Sequence, residues 1–329
     1  MRTFSADFIK REALWLGFTA CGIAKAEHVS EAEEHKFRDW LERGLHADMK
    51  YMENYLEKRM DPRLLLEGAK SIVSVALNYA PKKVIPQEQP QIAAYALGKD
   101  YHDVVKSKLF QLASSLQCEE GSFKVCVDTA PILERYWAVQ AGLGWQGKSQ
   151  QLIIPKAGTM FLLGELLLCR EVDHYDQPMA NRCGKCRKCI DACPTGALSP
   201  DGSFDARRCL SYQTIENRGE ISETTARAMG NVIYGCDRCQ LSCPVNRWAK
   251  PTDIPELQPS EQLLQMTTEQ WEKLTQEEYK ALFKGSAVKR AKYAGLMRNI
   301  NAALHGKNEK QLAPEAKVKE KPGSSDKEN

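Results

Sequence analysis

The sequence predicts an α+β protein in which a mixed α/β domain precedes a cysteine-rich domain and a short helical region. Three observations carry that prediction. β-Branched and apolar runs alternate with stretches of helical periodicity through the first 175 residues. Two apolar runs flank Lys156-Ala-Gly, which reads as an antiparallel hairpin and argues against a purely parallel doubly wound sheet. Eight of the 12 cysteines fall between Cys183 and Cys243, where the composition turns to cysteine, glycine and basic residues.

In chain order, Asp7 to Trp15 has helical spacing, with Phe8, Leu14 and Trp15 as a candidate apolar face. Phe18 to Ala24 follows Gly17 as a short apolar run. Ser71-Ile-Val-Ser-Val-Ala-Leu-Asn, closed by Pro81, reads as a strand. From His102 to Leu116, Val105, Leu109, Leu112 and Leu116 recur at helical intervals. Phe123 to Asp128 reads as a strand, and a helix is expected to begin near Pro131, a residue favoured in a first helical turn. Leu152-Ile-Ile and Phe161 to Leu168 supply the hairpin. Beyond Pro259 the pattern is helical again, and 306–329, rich in lysine and glutamate, is expected to be disordered. The expected boundaries are therefore 1–175, 176–255, 256–305 and 306–329.

Composition excludes some classes. With 46 basic and 43 acidic residues the net charge is +3, too near neutrality to name a partner. No apolar run reaches the roughly 18 residues of a membrane span. Met1 to Lys10 carries neither an apolar signal core nor a twin-arginine pair, so a soluble, cytoplasmic protein is expected. No GxGxxG follows a strand, which leaves a nicotinamide site unsupported. Gly142-Leu-Gly-Trp-Gln-Gly-Lys148 is glycine-rich but has the wrong spacing for a P-loop.

The cysteine spacing is the most specific signal. The first block is Cys183-x2-Cys186-x2-Cys189-x3-Cys193-Pro194, and the second is Cys236-x2-Cys239-x3-Cys243-Pro244, with Cys209 between them. A tight C-x2-C-x2-C loop wraps three thiolates around one cubane, and the cysteine before proline reaches the other cluster. That crossover assigns Cys183, Cys186, Cys189 and Cys243 to one [4Fe–4S] cluster. Cys193, Cys209, Cys236 and Cys239 take the second, with no ligand left over. Zinc fits poorly, because one ion needs only four ligands and favours longer spacers between CxxC pairs. The radical-SAM C-x3-C-x2-C triplet does not occur. Cys21, Cys118, Cys126 and Cys169 lie in apolar contexts and read as small core residues.

Several strings then stand in a recognisable order. They are Tyr95-Ala-Leu-Gly-Lys-Asp-Tyr-His102, Val127-Asp-Thr-Ala-Pro-Ile-Leu-Glu134, Gly142 to Lys148, the doubled ferredoxin cysteines, Cys209-Leu-Ser-Tyr-Gln-Thr-Ile-Glu216, Gly230 to Cys236, Gly285 to Arg290 and Leu296-Met-Arg-Asn299. Over about residues 10 to 305 the chain resembles the epoxyqueuosine reductase family. The resemblance implies reduction of epoxyqueuosine to queuosine in the anticodon loop of tRNA, the last step of queuosine synthesis. It also implies a cobalamin on the first domain and two [4Fe–4S] clusters that feed it electrons. The implied fold is a nitroreductase-like cobalamin domain followed by a ferredoxin-like domain. Many family members carry a longer helical repeat after it, of which only the start is expected here.

The resemblance also implies roles. Asp128 closes an apolar strand and becomes the candidate general acid; the residues alone equally suit a cap for the next helix. As an acid it is expected to have a raised pKa through desolvation. Arg59, Tyr101, His102, Lys148, Ser149, Ser211 and Tyr212 are expected beside the cobalamin, and Glu216 toward the modified base. No DxHxxG string supplies a histidine to cobalt, so the cofactor is expected without one. Lys289, Arg290 and Arg298 are expected on tRNA. They belong to a stretch from Tyr279 to Arg298 with six basic residues and no acidic one. Arg182, Lys185, Arg187 and Lys188 add charge beside the first cysteine block. A flavodoxin or ferredoxin system as electron donor and a monomeric state complete the expectation.

Overall fold

The computed structural model describes residues 4–306. In chain order the first part contains α1 (Ala6–Trp15), β1 (Ala20–Lys25), α2 (Glu31–Glu42), α3 (Leu56–Met60), β2 (Ser71–Asn78), β3 (Gln91–Ile92), α4 (Tyr101–Ser115), β4 (Phe123–Cys126), α5 (Glu134–Gln140), β5 (Trp145–Gln146), β6 (Leu152–Ile153) and β7 (Phe161–Leu168). β1, β2, β7 and β4 lie side by side in that order, every pair antiparallel. β2 is buried over nearly its whole length, which explains its unbroken apolar run.

Helices cover both faces of this sheet. α1 and α4 lie on one side, where Ile9, Val105, Leu109 and Leu112 join Val73, Val75 and Leu166. α5 lies on the other, with Trp137 and Ala138 against Ile72, Ala76 and Leu167. Two glycines permit the close layers. A Cβ on Gly22 of β1 would stand 1.9 Å from the Ala141 carbonyl oxygen, and one on Gly164 of β7 would press on Val105 and Leu109.

The structure corrects three expectations. The buried stripe of α1 is Ala6, Ile9 and Ala13, while Leu14 and Trp15 are exposed; residues 6, 9 and 13 share a helical face and 14 and 15 do not. α5 starts at Glu134, not near Pro131, and no side chain caps it. β6 and β7 do not pair as a hairpin, although the chain reverses at Lys156-Ala-Gly, where Ile154 and Gly158 form a single antiparallel bridge. β7 has both edges taken by β2 and β4, and β6 pairs with β5, where Gly144 lets the backbones approach.

The cysteine-rich part holds α6 (Lys188–Asp191), α7 (Leu210–Ile215), α8 (Glu223–Met229), β8 (Val232–Tyr234) and α9 (Arg238–Leu241). β8 pairs in parallel with β3, so the first part and the cysteine-rich part share a small sheet. Four helices follow: α10 (Glu261–Leu264), α11 (Thr268–Glu272), α12 (Gln276–Leu282) and α13 (Lys292–His305). Capping boxes, Thr267 with Gln270 and Thr275 with Glu278, set the starts of α11 and α12. Asn299 of α13 is buried and donates to the carbonyls of Thr214 and Ile233 at 2.7 and 2.9 Å. The expected disordered tail, 306–329, lies outside the described residues except for its first position.

Candidate active site and cysteine cradle

β4 ends at Cys126, and two residues later Asp128 takes a left-handed backbone, φ +48°. That conformation costs most side chains energy, but Asp and Asn tolerate it. It is held by the Asp128 amide, which donates to Glu134 Oε1 at 2.5 Å. The carboxylate of Asp128 therefore points away from the helix it was a candidate to cap. Its Oδ2 accepts from the Tyr101 hydroxyl at 2.7 Å and pairs with His102 Nε2 at 3.0 Å. Tyr101 and His102 open α4, and their rings stack with centroids 4.1 Å apart. Asp100, the N-cap of α4, binds the other ring nitrogen of His102 at 2.7 Å. Tyr95 meets Tyr101 edge-on at 5.8 Å and leans on Tyr234.

The electrostatics reverse one expectation. Burial acts to raise the pKa of Asp128, yet the hydrogen bonds from His102 and Tyr101 outweigh it, so the carboxyl sits below its usual value. Burial likewise opposes a charge on His102, and the bonds to Asp128 and Asp100 win, so the imidazole sits above its usual value. The proton of this pair is held on His102, with Asp128 as its ionised partner. Both ring nitrogens of His102 are engaged, so it presents no free nitrogen to a metal.

Burial pushes the Tyr51 hydroxyl up to about 12, with the Glu216 and Asp128 charges adding and Arg290 and Arg59 opposing. Arg290 grips Glu216 with two hydrogen bonds of 2.8 Å each and lies over the Tyr51 ring. The predicted Glu216 and Arg290 thus form one fork beside the Tyr51 ring.

The eight cysteines fall into two groups. Cys183 and Cys186 act on both Cys189 and Cys243. Cys193 and Cys209 act on Cys239, as does Cys236, and Cys209 also acts on Cys236. α6 and α9, each carrying a cysteine, pack together. The Ala197 amide donates to Cys193 Sγ at 3.3 Å, and burial of Cys193 is outweighed by the Thr195 hydroxyl and by backbone amides, which lower its pKa. Among the described residues no three His, Cys, Asp or Glu converge as tightly as a single ion requires. A cubane asks for less convergence, since each thiolate bonds a different iron.

Other predicted residues have different work. Arg59 is buried and donates to the carbonyls of Asn54 and Tyr51, shaping the loop that carries Tyr51. Lys148 Nζ donates to the carbonyls of Gly184 and Cys186 at 2.7 and 3.0 Å, pinning the first cysteine loop. Ser149 is buried beside it and Ser211 is half-buried in α7. Tyr212 is buried and donates to Asp48 at 2.7 Å. Lys289 is exposed. Arg298 corrects the sequence reading: its guanidinium donates to the carbonyls of Asn217, Gly219 and Gln213 and to Asn299 Oδ1, so it braces the fold. Sequence reasoning missed Asp100, Tyr51, Glu134 and Glu165. Glu134 lay inside a recognised string without a role, and Glu165 showed itself as one acid within an apolar strand.

Comparison with known proteins agrees. A family described as epoxyqueuosine reductase QueG, DUF1730, matches residues 59–129. A 4Fe-4S double cluster binding domain matches residues 182–246. The epoxyqueuosine reductase of Cellulophaga algicola is 43% identical over 298 residues, covering 90% of this chain and 97% of its own. The structure of the Streptococcus thermophilus epoxyqueuosine reductase superposes with TM-score 0.82 at 33% identity, over 91% of this chain and 80% of that one. An epoxyqueuosine reductase crystallised with an epoxyqueuosine-modified tRNA-Tyr stem loop gives TM-score 0.81 at 29% identity, with the same coverage.

Proposed function

The chain belongs to the epoxyqueuosine reductase family, and we propose that it reduces epoxyqueuosine to queuosine in the anticodon loop of tRNA. The observation that carries the reading is the Tyr101–His102–Asp128 constellation beside a double-cluster domain. Removing the epoxide oxygen takes two electrons and two protons and releases water. Electrons enter through two [4Fe–4S] clusters, whose ligands we assign as Cys183, Cys186, Cys189 and Cys243, and Cys193, Cys209, Cys236 and Cys239.

The site chemistry suits a cobalamin held without a protein histidine, because His102, the histidine at the site, has both nitrogens bound. Asp128, Tyr101, Ser149, Ser211 and Tyr212 are the residues we assign to its surroundings. When bound and reduced, cobalamin supplies the electron pair that breaks the carbon–oxygen bonds. The protein's own part is the proton. An alkoxide is a poor leaving group at neutral pH, and Asp128 is the side chain that hands it a proton. In this reading Asp128 draws that proton from His102, so the acid is the hydrogen-bonded pair instead of a desolvated lone carboxyl. Asp100 holds the imidazole in orientation.

Tyr51, Glu216 and Arg290 form the rim that meets the modified base, splayed out as single-stranded RNA recognition demands. The exposed Lys280, Lys284, Lys289 and Lys292 meet phosphates. Their exposure supports this role, and the engagement of Arg298 withdraws it from the set. The nitroreductase-like and ferredoxin-like descriptions of the two parts, a cytoplasmic location, a monomeric state and a flavodoxin or ferredoxin donor belong to the same reading. No helix among the described residues is long and apolar enough to cross a membrane.

The test is an anaerobic assay of the protein with both clusters, cobalamin, a chemical reductant and epoxyqueuosine-bearing tRNA, with nucleosides read by mass spectrometry. Cobalamin-dependent loss of one oxygen mass is expected. No conversion by protein with both cofactors bound overturns the reading.

A further inference from the structure

The two cysteine blocks differ in where their intervening charges go. Between Cys236 and Cys239, Asp237 accepts the Ala94 amide at 2.6 Å, and Arg238 donates to the carbonyls of Ala228 and Met229 at 2.6 and 2.8 Å. Both charges are spent inside the fold. Between Cys183 and Cys189, by contrast, Lys185, Arg187 and Lys188 are all exposed. The protein backs that loop from its other side: Lys148 holds the carbonyls of Gly184 and Cys186, and a Cβ on Gly147 would stand 3.6 Å from Cys183 Sγ.

Charge here is one-sided. From Arg182 to Cys193 there are four basic residues and one acid, Asp191, which pairs with Arg187 at 3.4 Å. From Cys239 to Lys250 there are two basic residues and no acid, and all six basic residues are exposed. Apolar surface accompanies them. Leu241, at the end of α9 and two positions before Cys243, is 66% exposed. Trp248, five positions after Cys243, is 44% exposed and carries the Arg247 guanidinium 3.8 Å from its ring centroid. α9 packs on α6, which joins the two segments. Tryptophan and arginine dominate the energetics of protein interfaces, and a basic surround complements an acidic partner. The fork of Glu216 and Arg290, assigned above to the substrate, belongs to the other cysteine set, since Cys209 heads the helix that ends beside Glu216.

We infer, resting on the activity assigned above, that Lys185, Arg187, Lys188, Leu241, Arg247 and Trp248 form the docking face of an acidic one-electron carrier protein. Each lies within five positions of Cys183, Cys186, Cys189 or Cys243, so current enters through the cluster assigned to those four. In each encounter the carrier is oxidised by one electron and that cluster is reduced by one; no bond breaks and no proton moves. Two encounters supply the pair that epoxide reduction consumes. Contacts between redox partners are small and short-lived. Opposite charge speeds this one, and Leu241 and Trp248 give it an apolar centre.

The experiment mixes reduced flavodoxin, an acidic one-electron carrier, with the oxidised holoenzyme in an anaerobic stopped-flow instrument. Bleaching of the iron–sulfur absorbance is followed without tRNA. The wild-type bimolecular rate should fall with added salt. The double variant Arg247→Glu, Trp248→Ala should lower it about tenfold or more. Leu241→Glu, a second variant at an exposed position, should do the same if the first fails to fold. Iron content, the potential of each cluster, reduction by dithionite and tRNA affinity should stay at wild-type values. Wild-type flavodoxin rates in the variants overturn the docking face, as does a wild type that neither flavodoxin nor a ferredoxin reduces. Variants that lose tRNA affinity but keep the carrier rate give the face to RNA and overturn it too. Reduction that depends on this face, in an enzyme that leaves epoxyqueuosine untouched even with dithionite, keeps the face and defeats the functional reading instead.

Discussion

Replacing Asp128 by Asn tests the proton-delivery argument with little else disturbed. Asn tolerates the left-handed backbone at +48° almost as well as Asp. The amide bond to Glu134 comes from the main chain and survives. The side-chain carbonyl can still accept from Tyr101 or His102. What disappears is the charge that holds the His102 proton and the oxygen that hands it on. Positioned proton transfer is worth about 10² to 10⁴ in rate, or roughly 3 to 5 kcal/mol of barrier. Single-turnover product formation should drop by that factor, while Tm, iron content and tRNA affinity stay at wild-type values. The His102 imidazole, followed by NMR, should titrate at lower pH than in the wild type. A variant within a few-fold of the wild-type rate would refute Asp128 as the donor.

Cys209→Ala and Cys193→Ala should each leave the cluster of Cys183 intact and remove the same second cluster, halving iron from about eight per chain; a variant that keeps full iron breaks the ligand grouping. Arg298→Ala should lower stability by about 2 kcal/mol, because three carbonyls and an amide oxygen lose a charged donor, as read by denaturant titration. Lys289→Ala should leave stability alone, weaken tRNA binding and reduce the salt slope by about one; equal effects of the two substitutions on stability would refute the division. Glu134 has a folded-state pKa raised from 4.5 to about 8. The folded chain thus holds a proton that the unfolded chain releases, so the stability from this group is complete below 4.5 and is lost as pH rises to about 8. Tm of Glu134→Gln should decline less over that window than the wild type, and parallel curves would contradict the assignment.

The fold was legible where one residue type dominates the local outcome. The β-branched run from Ser71 announced β2, and Val105, Leu109 and Leu112 announced α4, since burial alone selects those patterns. Pairing was not legible. Phe161 to Leu168 looked like half of a hairpin, but its partners lie on distant β2 and β4, and nothing near it in the chain encodes that choice. α1 misled because Trp15 outweighs small residues on any apolar scale, while Ala6 and Ala13 are what the close-packed layer admits. At the site, cysteine spacing is a short-range code, enough by itself to propose a ligand grouping. Asp128 could be found as a candidate but not its charge state, which depends on Tyr101 and His102 arriving from another helix. Arg298 looked like a phosphate ligand because a sequence shows charge and hides the carbonyls that use it.

The short pairing of β3 with β8 has a consequence for how the enzyme is built. Beside it, the Ala94 amide donates to Asp237, 143 positions away, at 2.6 Å, and Asp237 lies inside the turn between Cys236 and Cys239. Tyr95, next along, supports the aromatic floor under Tyr101. The aromatic floor beneath Tyr101 is therefore moored to the turn that carries Cys236 and Cys239. Long-range closure of this kind slows folding, and it ties the shape of the pocket to the turn between Cys236 and Cys239. Under the ligand assignment proposed above, iron loss would act twice, on electron supply and on the surface around Tyr101 and Asp128.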